Sequence, residues 1–165
     1  IWQGVKGTDF IDGFLTIAGA EGDVVDVVLG GTSAYEDILK VYNAMTENTL
    51  EQGGEIYVSP AKFRAFLQEM VAKNYYHYNP GNDEPGEFLL PGSNVKVVRT
   101  PGLAGKTQIV GTFPKNMYYG CDLENAAEDI KVWYSDDDDV IKVSAKWNMG
   151  VQFAFPAEVV LGSES

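Results

Sequence analysis

Three features of this 165-residue sequence predict an α+β fold. Two stretches set apolar side chains at helical spacing behind recognisable N-terminal caps. From Phe88 onward the hydrophobic period changes from about 3.6 to about 2. Clusters of Gly, Pro and Asp then punctuate the alternating runs, as turns between strands do. The expected architecture is a mainly antiparallel sheet with two principal helices.

In chain order, residues 1–22 are broken up by Gly and show no dominant period. Val24 to Leu29 (VVDVVL) is rich in β-branched residues and closes on Gly30-Gly31, which predicts a short strand. Ser33 with Glu36 three residues on is a capping-box pattern. Tyr35, Ile38, Leu39, Tyr42 and Met45 then form one apolar stripe of a helix running to about Leu50, which Gln52-Gly53-Gly54 ends. Ile56-Tyr57-Val58 reads as a strand. Ser59-Pro60 supplies a cap and a proline at the first helical position. Phe63, Phe66, Leu67, Met70 and Val71 follow at i, i+3, i+4, i+7 and i+8, an amphipathic helix.

The segment after that helix, Asn74-Tyr75-Tyr76-His77-Tyr78 and then NPGNDEPGE (79–87), is turn-rich and reads as an exposed loop. Val95–Arg99 is a strand, Pro101-Gly102 a turn, Thr107–Phe113 a strand and Met117–Gly120 a further candidate. Ile130, Val132 and Tyr134 alternate before the Asp136–Asp139 run, and Ile141, Val143, Ala145 and Trp147 alternate after it. Two such runs joined by a polar tip predict a β-hairpin. Val151, Phe153 and Phe155 continue the alternation until Pro156.

Composition limits the function. Apolar residues are 45% and aromatics 12%, enough for a packed core, so intrinsic disorder is excluded. The 24 acidic and 12 basic residues give a net charge of −12. The cations are scattered singly and only Arg64 and Arg99 are arginines, so no basic stripe exists to follow a phosphate backbone. Sequence-specific nucleic-acid binding is excluded. No run approaches the roughly 20 apolar residues of a membrane span. The lone Cys121 cannot close an internal disulfide, which favours a reducing compartment. The chain opens on Ile1-Trp2-Gln3 without an initiator Met and reads as the latter part of a longer protein.

Few residues suggest chemistry. Asp136–Asp139 could draw a hard cation, but an EF-hand's alternating ligands, central Gly and distal Glu are missing, so a solvated hairpin tip is the stronger reading. Cys121 and His77, oriented by Asp83 or Asp122, can be drawn as a nucleophile and base, yet no cation or helix start accompanies the thiol. One Cys and one His cannot build a Cys/His metal site. Gly105-Lys106-Thr107 lacks the upstream Gly and following helix of a P-loop. No catalytic, metal or cofactor-binding residue is assigned. Tyr75, Tyr76, Tyr78 and Phe88, around the long loop, are either core or anchors of a subunit contact.

One succession of segments carries a family resemblance. IYVSPAKFRAFL (56–67) is followed by FLLPGSNVKVVRTPGL (88–103), IVGTF (109–113), MYYGCDLE (117–124), the hairpin IKVWYSDDDDVIKVSAKW (130–147) and GVQFAFPAEVVL (150–161). This order resembles the major capsid proteins of tailed phages and prophages, with the Hong-Kong-97-type fold, in versions from Bacteroides-type bacteria. It covers roughly residues 33–161. The resemblance implies that residues 54–128 are axial-domain-like, that 24–53 and 129–149 are peripheral-domain-like, and that 150–165 form a final strand and tail. The arm and extended loop that clasp neighbouring subunits would precede Ile1.

Its functional implication is a non-enzymatic coat subunit fragment that builds an icosahedral head by self-association. When full length it would form hexamers and pentamers, beside scaffold and portal proteins, in a virion made in the bacterial cytoplasm. No cofactor is implied. The rival reading is a soluble binding module that presents the 75–88 loop to a protein or glycan partner.

Overall fold

The structure, a computed structural model, describes residues 1–9, 11–73, 86–121, 131–136, 139–144 and 149–164. Helix α1 (Phe14–Ala20) precedes strand β1 (Val25–Leu29), helices α2 (Ala34–Ala44) and α3 (Glu47–Glu51), strand β2 (Glu55–Val58) and helix α4 (Pro60–Ala72). Strands β3 (Glu87–Leu89), β4 (Lys96–Arg99), β5 (Ile109–Thr112) and β6 (Met117–Cys121) follow. The remaining strands are β7 (Lys131–Ser135), β8 (Val140–Ser144), β9 (Met149–Phe153) and β10 (Val160–Glu164). Short 3-10 turns, each opening on a proline, occupy Pro101–Leu103, Pro114–Asn116 and Pro156–Glu158.

Six strands form one mixed sheet in the order β1-β10-β5-β2-β4-β3. Its β1–β10 and β2–β4 pairings are parallel and the other three antiparallel. Period-2 alternation sends Ile56, Val58, Val97, Ile109 and Val160 toward α2 and α4, among Ile38, Val41, Phe66 and Met70. The intervening Tyr57, Val110 and Leu161 meet a second core containing Phe14, Ala18, Val151 and Phe153. The sheet is therefore the middle of three layers, and its inner strands β2, β5 and β10 are buried on both faces. Rings link each core: Phe66 meets Phe88 edge-on at 5.3 Å, and Trp2 lies 5.1 Å from Tyr57 and 5.4 Å from Phe14.

Close approach of α2 to the sheet depends on two glycines. A Cβ at Gly111 would lie 2.8 Å from Val41 Cγ1, and one at Gly162 would lie 2.8 Å from Leu29 and 3.0 Å from Val41. Gly162 pairs with Ile109, and Gly111 with Val160, so the missing side chains leave a shallow seat for Val41 in the sheet centre.

The caps behave as their residues predict, with one substitution. Ser59 accepts the Lys62 N–H, and Ser33 accepts the Glu36 N–H. The partner at the start of α2, however, is Glu69 from α4. Its carboxylate accepts the Ser33 hydroxyl at 2.5 Å and the Ala34 and Tyr35 N–H groups at 2.9 and 3.1 Å. The box thus closes between two helices.

The single helix expected from Ser33 to about Leu50 is two. Met45 is extended (φ −67°, ψ 142°), and Thr46 recaps the chain by accepting the Thr49 N–H. The Thr46 and Thr49 hydroxyls both donate to the Glu158 carboxylate, the latter at 2.7 Å, which ties the break to the turn before β10. Four α-helices stand among the described residues where two principal ones were expected, although α2 and α4 are the longest. Within α4 the stripe is narrower than its spacing suggests: Phe63, Phe66 and Met70 are buried, but Val71 is 62% exposed. Phe155 is likewise exposed, because the chain leaves the strand after Phe153.

Candidate interaction surface

The residues singled out in the sequence do not converge. Tyr75, Tyr76, Tyr78, His77, Asp83 and Asp122 lie outside the described residues. Phe88 is 6% exposed in β3, and its ring belongs to the helix-side core. Cys121 ends β6, exposed and opposite Met149. Of the acidic run, Asp136 and Asp139 are described. Asp139 takes a left-handed turn conformation (φ 51°) that aspartate tolerates, and its carboxylate accepts the Tyr134 hydroxyl. The described part of the run is therefore a hairpin turn. Among the described residues no three His, Cys, Asp or Glu side chains are placed to hold a metal.

The buried polar groups are engaged in holding the fold. Asp37 accepts the Gly30 N–H at 2.8 Å and pairs with Lys62 at 3.1 Å. Lys62 also reaches Glu164 at 3.2 Å and the Thr107 carbonyl at 3.1 Å, so one cation joins α2, α4 and the end of β10. Asn116, fully buried, donates to Thr112 and the Phe155 carbonyl and accepts the Phe155 N–H at 2.7 Å. It clamps the β5–β6 turn to the turn after β9. Burial works to raise the Glu69 carboxyl, but hydrogen bonds from Ser33, Ala34 and Tyr35 and the Lys73 charge prevail and hold it below its ordinary range. Hydrogen bonds from Thr46 and Thr49 hold Glu158 low in the same way. Neither Asn116 nor the two glutamates carried a sequence signal for these roles, since the Phe155, Ser33, Ala34, Tyr35, Thr46 and Thr49 partners are remote in the chain. The Thr46-Glu47 pair, a capping residue before an acid, was the available sign of the helix break.

A cavity of about 260 Å³ lies between α2, α4 and the Leu90–Ser93 turn, lined by Tyr35, Leu39, Tyr42, Met70 and Leu90. Pro91 and Ser93 complete the lining, which contains no acidic or basic residue.

The exposed apolar surface is concentrated elsewhere. Strands β7 and β8 form a separate two-stranded ribbon in which Val132 faces Val143 and Tyr134 faces Ile141. These four share one side of the ribbon by period-2 alternation, while Lys131, Trp133, Val140 and Lys142 share the other, where Trp133 and Val140 are exposed as well. Val132, Tyr134, Ile141 and Val143 are all exposed, Ile141 at 71% and Val132 at 65%. Two short strands are marginal alone, and exposed apolar residues on such a ribbon make it the candidate interaction surface among the described residues.

Together the three layers and the two-stranded ribbon define a mixed α+β fold. Over 90% of its length the chain is similar to a virus-like particle from Pyrococcus furiosus, with a TM-score of 0.52 and 11% identity. Over 87% it is similar to a chain from Mycobacterium phage Che8, with a TM-score of 0.57 and 13% identity. It spans 60% and 55% of those two chains. At these identities the likeness is one of fold. No family model matches the sequence, and no curated protein does.

Proposed function

We propose that this chain is a non-enzymatic structural subunit, the latter part of a phage major capsid protein that builds an icosahedral shell by self-association. The carrying observation is the fold shared with a virus-like particle at a TM-score of 0.52 across 90% of this chain. The bare ribbon supports it, because a shell subunit needs faces for repeated neighbours rather than a catalytic pocket. Net charge of −12 fits a wall that encloses DNA without gripping it.

In this reading residues 54–128 are axial-domain-like, while 24–53 and 129–149 are peripheral. The surface around Tyr75, Tyr76 and Tyr78 makes a subunit contact, and full-length subunits group as hexamers and pentamers with scaffold and portal proteins. Electron microscopy of the concentrated protein tests the reading. Shells, rings or capsomers are expected; discrete monomers at every concentration overturn it.

A further inference from the structure

We propose that residues 1–4 are a strap that couples the Pro101–Leu103 turn to helix α1, so that displacing the strap at the turn uncaps the helix. The proposal stands apart from the shell reading. Helix α1 has seven residues, and its N-cap is Gly13, which offers no side-chain acceptor. A helix this short is marginal alone, and its first N–H groups need partners from outside it. The strap supplies them. The Ile1 and Trp2 carbonyls accept the Phe14 and Leu15 N–H groups at 2.9 and 3.1 Å. The Gly4 carbonyl accepts the Gly13 N–H at 2.8 Å and the Thr16 hydroxyl at 2.7 Å.

The same residues grip the turn. Gln3 Nε2 donates to the Gly102 and Ala104 carbonyls at 2.6 and 3.1 Å. The Trp2 ring meets Tyr57 of β2 and Phe14 of α1, and it lies directly on Gly102, where a Cβ would come within 2.4 Å of Trp2 Cδ1. On the helix side a Cβ at Gly13 would come within 2.6 Å of the Trp2 carbonyl. The strap thus sits between two glycines of different elements, and each position needs glycine for this close approach. Phe14 in turn packs on Phe153 of β9 at 5.0 Å, so the start of α1 carries the contact between its layer and β9. The strap lies at the surface: Ile1 is 58% exposed, and a cleft of about 670 Å³ runs beside it toward Ile11 and Met149. It can therefore leave its seat without moving α2 or α4, which pack on the other face of the sheet. Such a local opening needs less free energy than unfolding the whole chain.

Native-state hydrogen exchange of the chain and of its Gly102→Ala variant tests the coupling, with circular dichroism to verify that both are folded. The substitution is in the turn, yet the Phe14 and Leu15 N–H groups of α1 should exchange about tenfold faster or more, while those of Val41 and Phe66 remain protected. Unchanged exchange at Phe14 and Leu15, or acceleration confined to the Leu103 and Ala104 N–H groups of the turn, overturns the proposal. A double-mutant cycle gives a second readout. Gly102→Ala and Gly13→Ala each displace the strap, so the double variant should lower the urea midpoint by less than the sum of the two single falls. Full additivity overturns the coupling. Should the glycine variants fail to fold, Gln3→Ala removes only the two exposed hydrogen bonds to the turn. It should speed exchange of the same two α1 groups, and wild-type rates there would overturn the proposal.

Discussion

Glu69 and Glu158 determine helix ends from a distance. Glu69 reaches from α4 to the start of α2, and Glu158 reaches from the turn before β10 to the start of α3. Negative charge at a helix N-terminus is favourable, and each carboxylate accepts donors that the helix cannot satisfy internally. Both carboxyls are held below their ordinary range in the folded chain. Their stabilisation is present above the unfolded glutamate value, about 4.3, and is lost as pH falls through the lower folded values. Thermal melting followed by circular dichroism should show the midpoint falling with pH in that acid window. Glu69→Gln should start lower at neutral pH and show a shallower fall. An unchanged slope would refute this role. None of this was legible locally: Ser33 announced a cap, but its partner is 36 residues away.

At the scale of elements, patterns predicted whatever local chemistry controls. The strand at 25–29, the Ser59-Pro60 helix start and the 131–144 hairpin all formed where alternation and caps placed them. The break at Met45 escaped, because the apolar stripe carries through it and the cause lies in the Glu158 contact. Alternation did not mark β10 either, although the resemblance implied a final strand within 150–165. Strand β10 has Val160 and Leu161 buried on opposite faces, and a strand buried on both sides has no polar alternation to reveal it.

Gly111 is decisive here. An added methyl would meet Val41 at 2.8 Å, and valine in a helix has little rotamer freedom to yield. Overpacking costs about 1–3 kcal/mol, against at most about 1 kcal/mol gained from a less flexible unfolded chain. Gly111→Ala should therefore lower the urea midpoint with the slope unchanged. A midpoint equal to that of the wild type would show that α2 can lift without cost.

For the whole molecule, charge and fold lead to the same expectation. Two of the twelve cations are paired with acids, Lys62 with Asp37 and Glu164 and Lys96 with Glu87. The protein should not retard duplex DNA in a gel at about 0.15 M salt, where even non-specific binders rely on counterion release. A salt-dependent shift would contradict the reading of a wall that does not grip its contents. The fold is similar to that of chains from a virus-like particle and from a phage at 11–13% identity, where sequence signals have largely faded.

The sequence by itself determined the α+β class, the main caps, the ribbon and the acidic surface. Each depends on neighbours within a few residues or on composition alone. Tertiary structure decided which strands share the six-stranded sheet, what holds the chain where α2 stops at Ala44, and that the ribbon stands exposed. Those outcomes depend on contacts between residues far apart in the chain, such as Thr46 with Glu158 and Val41 over Gly111, which local patterns at most hint at.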